Sequence, residues 1–395
     1  MKRISILLVA ATSFAVPACG GDSSSTGDDD PGTGSGSGSG SGTQDEWDQL
    51  LGTRVTDYNA ALKIAALRLT GDVPTVDEIN QIKNAPDEAA KKAAYGTLIQ
   101  AYMGRPTFAR QMVLFWQDTF RMGGTAELDA APAFAAQLAV ENRSYTELFT
   151  ATTGTCPTFV YDGTAGTATF TPADCAGTGP KVGVLTDPGA MAHFFGNLAF
   201  RRVKWVQETF DCAKFPIELA AAPMDVGGAS PYTGVWPFTS ISDGTTVGRI
   251  NFQDTAAVIC ANCHSTMNHI APLFANFDDT GAYQTTISVP TPLDGAPLAE
   301  LSDYLIAGEP LSWRMGIPTP DLTSFGNAMA ADASVAKCGV ARVWNWALGK
   351  TDIVDALQDV PLETIDTEVT NFIASGHKMK DLIYAVFTSD DFVQF

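Results

Sequence analysis

The 395-residue chain lacks most of the familiar signatures of an enzyme. It holds no G-x-x-x-x-G-K-[ST] phosphate loop, no G-x-S-x-G elbow, no G-x-G-x-x-G opening a helix and no H-E-x-x-H pair. Nucleotide, serine-hydrolase, dinucleotide and zincin chemistries are set aside on that ground. Positive charge is scarce as well: 24 Lys and Arg stand against 44 Asp and Glu, a net charge of −20. That balance excludes nucleic acid and an anionic lipid face as partners and favours a cationic one. Beyond the first residues no apolar run reaches the roughly 18 residues of a membrane span. A second C-x-x-C and paired histidines are also missing, so no full set of zinc ligands can be assembled. The aspartates of "DDDPGTG" lack the EF-hand spacing and its glutamate.

What is present begins with ample core material: 45% hydrophobic residues, with 22 Phe and seven Trp. Lys2 and Arg3 precede the apolar "ISILLVAATSFAV", which has signal-peptide length. "VPAC" then places Ala18 before Cys19, as in a bacterial lipobox, so Cys19 is the expected lipidation site. Pro17 is uncommon there, and ordinary signal cleavage is the alternative. Gly20 after Cys19 favours the outer membrane. Residues 20–43 are Gly, Ser, Thr and Asp, a composition that forms a flexible tether with a reach of about 25–30 Å.

Export makes thiols prone to pair. Cys156 and Cys175 bracket "PTFVYDGTAGTATFTPAD", which reads as a β-hairpin with "DGTAG" at its turn, so these two are expected to bond. If Cys260 and Cys263 serve another purpose, Cys212 and Cys338 pair by elimination. Most of the rest is helical. Stretches 56–71, 87–104 and 106–124 end on glycine, and Thr75 with Glu78 forms a capping box. Further helices are expected near 131–141, from Asp187 and Pro188 to about Cys212, through 254–278 with Asp254 as cap, over 332–349 and 361–375, and from Met379 onward. Residues 213–253 and the Pro-rich 290–320 read as irregular.

The most specific pattern is "CANCH", residues 260–264. In C-x-x-C-H two thiols add to the vinyl groups of haem and the histidine binds iron. A helix through the motif presents Cys260, Cys263 and His264 together. Half a zinc site, a thioredoxin-like dithiol, a local disulfide and chance are the competing readings.

Three stretches resemble planctomycete and myxobacterial exported proteins built of uncharacterised helical domains around a single C-x-x-C-H. "LRLTGDVPTVDEINQ" with "YGTLIQAYMGRPTFARQMVLFWQDTFRMGG" is similar to their N-terminal domain. "FRRVKWVQETFDCAKFP" and "CANCHSTMNHIAPLFANFDDTGAY" resemble their haem-motif domain, with Pro272, Leu273, Phe277, Asp278 and Gly281 matching. "ALGKTD" and "MKDLIYAVFTSDDFVQF" resemble their C-terminal domain. The resemblance covers most of residues 56–395 and implies a cytochrome-c-like helical protein; it names no substrate.

Iron held by His264 needs a partner on its far side. Met315, 51 residues downstream in a Pro-rich loop, is the leading candidate, with filling of a core gap as its other reading. His193 and His377 are alternatives. Met267 and His269 follow the motif on its own helix and are poorly placed. Arg201, Arg202 and Lys204 form a basic cluster that would suit haem propionates or, more simply, a salt-bridged helix face. Trp205, Trp344 and Trp346 read as core.

The expectation is therefore a mainly α-helical protein with one small β-hairpin and long irregular loops. Its regions are a signal peptide (1–19), a tether (20–43), an N-terminal helical domain (44–150), a hairpin insertion (151–186), a cytochrome-c-like domain (187–320) and a C-terminal helical domain (321–395). One covalent haem c, a lipid anchor in the outer membrane and a redox partner protein follow, with one-electron transfer as the task. A haem-dependent envelope enzyme, peroxidase-like or polymer-degrading, and a haem-free disulfide-stapled scaffold are the rival functions.

Overall fold

Asp57 turns the chain into its first helix by accepting the N–H groups of Asn59 and Ala60 at 2.9 and 3.0 Å. Such a cap satisfies donors that the first turn cannot pair and contributes about 1 kcal/mol. The computed structural model describes residues 52–213, 258–291, 297–305, 307–314, 316–350 and 360–395, with backbone alone at 258–263 and 265. Helix α1 (Tyr58–Thr70) ends on Gly71, whose φ of 78° suits a residue without Cβ. α2 (Val76–Lys83) starts on the Thr75–Glu78 capping box. α3 (Glu88–Tyr102), α4 (Pro106–Phe120) and α5 (Ala126–Val140) follow, opened by Asp87, by Pro106 in the first turn and by Thr125.

Two of these ends depart from expectation. α3 runs into Met103 in right-handed backbone rather than closing on Gly104. α4 stops before its glycines because Arg121 itself takes the left-handed conformation, at φ 54°. Its guanidinium reaches Glu208 at 3.4 Å, which anchors it there. After the short α6 (Glu147–Thr150) comes the expected hairpin, β1 (Thr158–Asp162) antiparallel to β2 (Thr167–Thr171). Asp162 accepts the N–H groups of Thr164 and Ala165 across the turn, and Phe159 faces Phe170 with ring centroids 4.8 Å apart. A disulfide joins Cys156 to Cys175 at the base, with Cα atoms 4.9 Å apart.

The single long helix expected from Asp187 to Cys212 is two. α7 (Pro188–His193) and α8 (Phe200–Phe210) are separated by a 3₁₀ turn, Asn197–Ala199. Gly196 is fully extended, and Leu198 and Ala199 hold φ of 54° and 57°. Left-handed backbone costs roughly 1–2 kcal/mol per non-glycine residue. Helical spacing could not show the offset, which is a buried arginine. Arg202 is 0% exposed. Its guanidinium donates five hydrogen bonds to the carbonyls of Met191, Phe274, Phe277 and Asp278, at 2.6–2.9 Å.

α9 (Val258–Phe274) carries the C-x-x-C-H motif; Asp254 lies outside the described residues. The Pro-rich stretch holds a second small sheet, β3 (Ser312–Arg314) with β4 (Ile317–Pro318), which alternation in so short a run does not reveal. α10 (Leu322–Ala331) precedes α11 (Ala333–Ala347), each with an aspartate cap. α12 (Leu362–Ala374), α13 (Met379–Thr388) and α14 (Asp390–Val393) complete the chain. The described residues are thus mainly helical with two small antiparallel sheets. None of their helices is long and apolar enough to cross a membrane.

The core is aromatic. Trp116, Phe120, Tyr145, Phe149, Trp205 and Phe210 form a chain of ring contacts at 5.0–6.3 Å, drawn from α4, α6, α8 and the link before α6. Trp205 and Trp344 are buried, and Trp346 is half-buried against Phe115 and Phe387. Three devices fix the end of α8. A disulfide joins Cys212 to Cys338, Arg342 donates to the carbonyls of Glu208 and Thr209, and Arg314 bridges Asp211 and Asp332. Arg54–Phe395 form one compact unit, so the helical, hairpin and motif regions share a core from Arg54 onward.

Candidate functional site

The second half of α9 is buried on every side, with residues 268–275 all enclosed. Ile270, Ala271, Leu273 and Phe274 enter the core, together with the polar side chains of Thr266, Asn268 and His269. The helix packs on α8 and on β3. Cys260, Cys263 and His264 all lie within it, at i, i+3 and i+4, a spacing that places them on one side of a helix. The side chains of Cys260 and Cys263 are outside the described residues, as are Met315 and Cys19.

His264 is half-buried. Its Nδ1 lies 2.9 Å from Oδ1 of Asn268, itself 0% exposed. An amide oxygen only accepts, so Nδ1 carries the proton and the ring lone pair is on Nε2. Burial lowers the imidazole pKa, and the Asn268 contact only partly opposes it, so the ring is neutral at pH 7. The ring of Phe200 meets that of His264 edge-on at 5.1 Å, and Tyr304 meets Phe200 in the same way at 6.0 Å. Tyr304 is fully buried, and its hydroxyl has no hydrogen-bond partner among the described residues. Further along the helix, Nε2 of the buried His269 lies 3.0 Å from Oε2 of Glu309.

A neutral imidazole with Nδ1 engaged is the form that binds a metal through Nε2, and second-shell contacts of this kind hold such ligands. The Phe200 ring and, beyond it, the Tyr304 hydroxyl, without a partner among the described residues, also suit a large, flat group with polar edges. Of the residues expected to hold haem, His264 alone has a described side chain, and its state fits that of a metal ligand. Asn268 was missed in the sequence, although its place four residues after His264 is a readable signal.

The other expected members are scattered. Met267 is half-buried against the core on α9 itself. His193 is exposed at the end of α7, where it borders a groove of about 290 Å³ with Arg121, Arg201 and Lys204. His377 takes φ 60°, packs edge-on against Phe372 and accepts the N–H of Tyr145 through its carbonyl. The basic cluster divides: Arg202 is the buried anchor, its pKa drawn down by burial to about 10, while Lys204 pairs with Glu208 at 3.6 Å and Arg201 donates to the Phe195 carbonyl.

The residues Phe277, Asp278 and Gly281 make a turn that holds α9 in place. Asp278 Oδ1 accepts the N–H groups of Thr280 and Ala282. Hydrogen bonds from Thr280, Gln284 and these N–H groups outweigh what burial adds and keep the Asp278 carboxyl below the usual range. Gly281 stands at φ 78°, where an added Cβ would lie 2.0 Å from the Pro188 carbonyl oxygen. The carbonyls of Phe277 and Asp278 receive Arg202. These positions are structural. Compared with protein-family models, curated proteins and solved structures, the chain matches none of them.

Proposed function

We propose that the protein carries one haem c on α9 and passes single electrons at the cell envelope. Cys260 and Cys263 form the thioethers, and His264 ligates iron through Nε2. The observation that carries this reading is the hydrogen bond from His264 Nδ1 to the buried Asn268, within a helix that also holds both cysteines. When bound, the haem supplies a one-electron iron couple. Asn268 orients the imidazole and raises its basicity. Phe200 limits water at the ring, and Tyr304 offers a buried O–H donor. Met315 would be a second ligand to the iron; in the sequence it follows directly on Arg314, which is pinned between Asp211 and Asp332. Lipid on Cys19 anchors the protein to the outer membrane, with residues 20–43 as tether. A net charge of −20 favours a redox partner with a cationic face.

The test is an optical spectrum after expression with a haem c maturation system. A reduced α-band that survives denaturation, and is lost from Cys260→Ser with Cys263→Ser, is the expected result. A low-spin spectrum that becomes high-spin in Met315→Ala supports electron transfer. High-spin iron in the parent protein would favour the haem-dependent enzyme. Absence of haem would leave the scaffold.

A further inference from the structure

The disulfide at the base of the hairpin lies against a buried acid. Asp187 is 0% exposed, and its Oδ1 caps α7 by accepting the N–H of Ala190 at 2.8 Å. Its Oδ2 lies 3.4 Å from Sγ of Cys156, which is bonded to Cys175. A disulfide sulfur has no hydrogen to give. The contact is favourable only when the carboxyl carries the proton and donates it to sulfur. Burial pushes this acid up to about 7, against the pull of the Ala190 and Gly189 N–H groups.

Among the described residues no charged neighbour sets that state. Lys181 is held by the carbonyls of Cys175, Ala176 and Gly177, and Asp174 accepts the N–H of Gly154. On the elements packed around Asp187, Asp129 accepts from Gln117 and Gly124 and Glu147 pairs with Arg143. Glu127 is exposed in the first turn of α5, Asp321 caps α10 through Ser324, and His193 is exposed at the far end of α7.

The two sulfurs differ. Cys156 is half-buried, whereas Cys175 is 7% exposed and its Sγ lies 3.3 Å from the Thr155 hydroxyl. The three side chains Cys156, Cys175 and Asp187 bring one sulfur or carboxylate oxygen each to within 4.8 Å of one another. A staple alone needs neither the hydroxyl nor the acid.

We propose that Cys156–Cys175 is an exchangeable disulfide, reduced by an external dithiol, with Asp187 as its proton donor. One thiolate of the reductant attacks Sγ of Cys156, the more exposed of the two residues. A mixed disulfide forms, the Cys156–Cys175 bond breaks, and Cys175 leaves as a thiolate that the Thr155 O–H stabilises. The second thiolate of the reductant then attacks its own bound sulfur, and Cys156 leaves. Cys156 takes the proton from Asp187 Oδ2, which regains one from solvent, and Cys175 is protonated in turn. Two electrons pass from the dithiol, which ends as a disulfide, to the protein, which ends as two thiols. A periplasmic or surface protein bearing a paired thiol is the chemical class of partner.

The test is reduction of the full-length protein by dithiothreitol between about pH 5 and pH 9, which brackets titration of the acid. Alkylation and peptide mass mapping follow Cys156 and Cys175, with Cys212 and Cys338 as the internal reference. Corrected for the thiolate fraction of the reductant, the rate at which the mixed disulfide on Cys156 resolves is expected to fall at least about tenfold as pH rises through 7. The Cys212–Cys338 rate should show no such fall. Asp187→Asn, which keeps an accepting oxygen for the cap, should be slower below pH 7 and flat above it. A flat profile for the parent protein, or an equal fall in Asp187→Asn, overturns the proposal. Should that variant fail to fold, the parent profile against the reference bond decides alone.

Discussion

The imidazole Nδ1 of His264 sits 2.9 Å from the amide oxygen of Asn268, one helical turn further along α9. An acceptor on Nδ1–H makes the ring a stronger donor through Nε2 and favours the ferric ion over the ferrous. Asn268→Leu removes the acceptor with little change in volume. The reduction potential of the loaded protein should rise, by about 59 mV for each tenfold shift between the two iron states. Protein-film voltammetry on parent and variant reads the shift, and an unchanged potential would separate Asn268 from the iron.

Arg202 should be among the least replaceable residues of the fold. Five hydrogen bonds to four carbonyls use the planar fork of the guanidinium, and a lysine cannot reproduce them. Arg202→Lys and Arg202→Met should each destabilise by about 3–5 kcal/mol. Urea unfolding measures the loss. Arg201→Met, at an exposed neighbour with one bond to the Phe195 carbonyl, should cost less than about 1 kcal/mol.

The two disulfides should contribute unequally. Cys212 and Cys338 are 126 positions apart and Cys156 and Cys175 only 19, so the longer link removes more freedom from the unfolded chain. Replacing the Cys212–Cys338 pair by alanine should cost about 5 kcal/mol, and replacing the other pair about 3. Thermal unfolding of the two double variants should rank them in that order.

Asp187 predicts a dependence of stability on pH. Its folded pKa of about 7 lies above the ordinary aspartate value. Between about pH 4 and 7 the folded state holds a proton that the unfolded chain has released. The contribution of this group is present in full below about pH 4 and is lost as pH rises through 7. Its slope approaches 1.4 kcal/mol per pH unit at about the middle of that window. Asp187→Asn should flatten this part of a urea-unfolding series, and an unchanged slope would show that the acid is already ionised.

Gly281→Ala should disrupt the turn after α9. Its φ of 78° and a Cβ position 2.0 Å from the Pro188 oxygen leave no room for a methyl group without backbone movement. A loss of about 3 kcal/mol or more is expected, with weakened protection of α9 in hydrogen exchange.

Local chemistry was legible in the sequence. The Thr75–Glu78 box, the Asp162 turn and the Gly71 cap depend on residues within a few positions of one another, and each is present. The break in 187–212 was not, because it answers to Arg202 reaching carbonyls more than seventy positions away. Arg121 closing α4 depends in the same way on Glu208, 87 positions on. At the candidate site His264 was readable and Asn268 nearly so, whereas the approach of Asp187 to Cys156 across 31 positions left no pattern in the chain. Bonds that join distant segments write no local period.

The Cys212–Cys338 link has a topological consequence. Residues 212–338 form a covalent ring, and α9, with its C-x-x-C-H, is one segment of that ring. A protease that cuts once anywhere between the two cysteines opens the loop but frees no piece. The nicked protein migrates as one species until a reductant reaches the cross-link, and only then does its C-terminal portion separate.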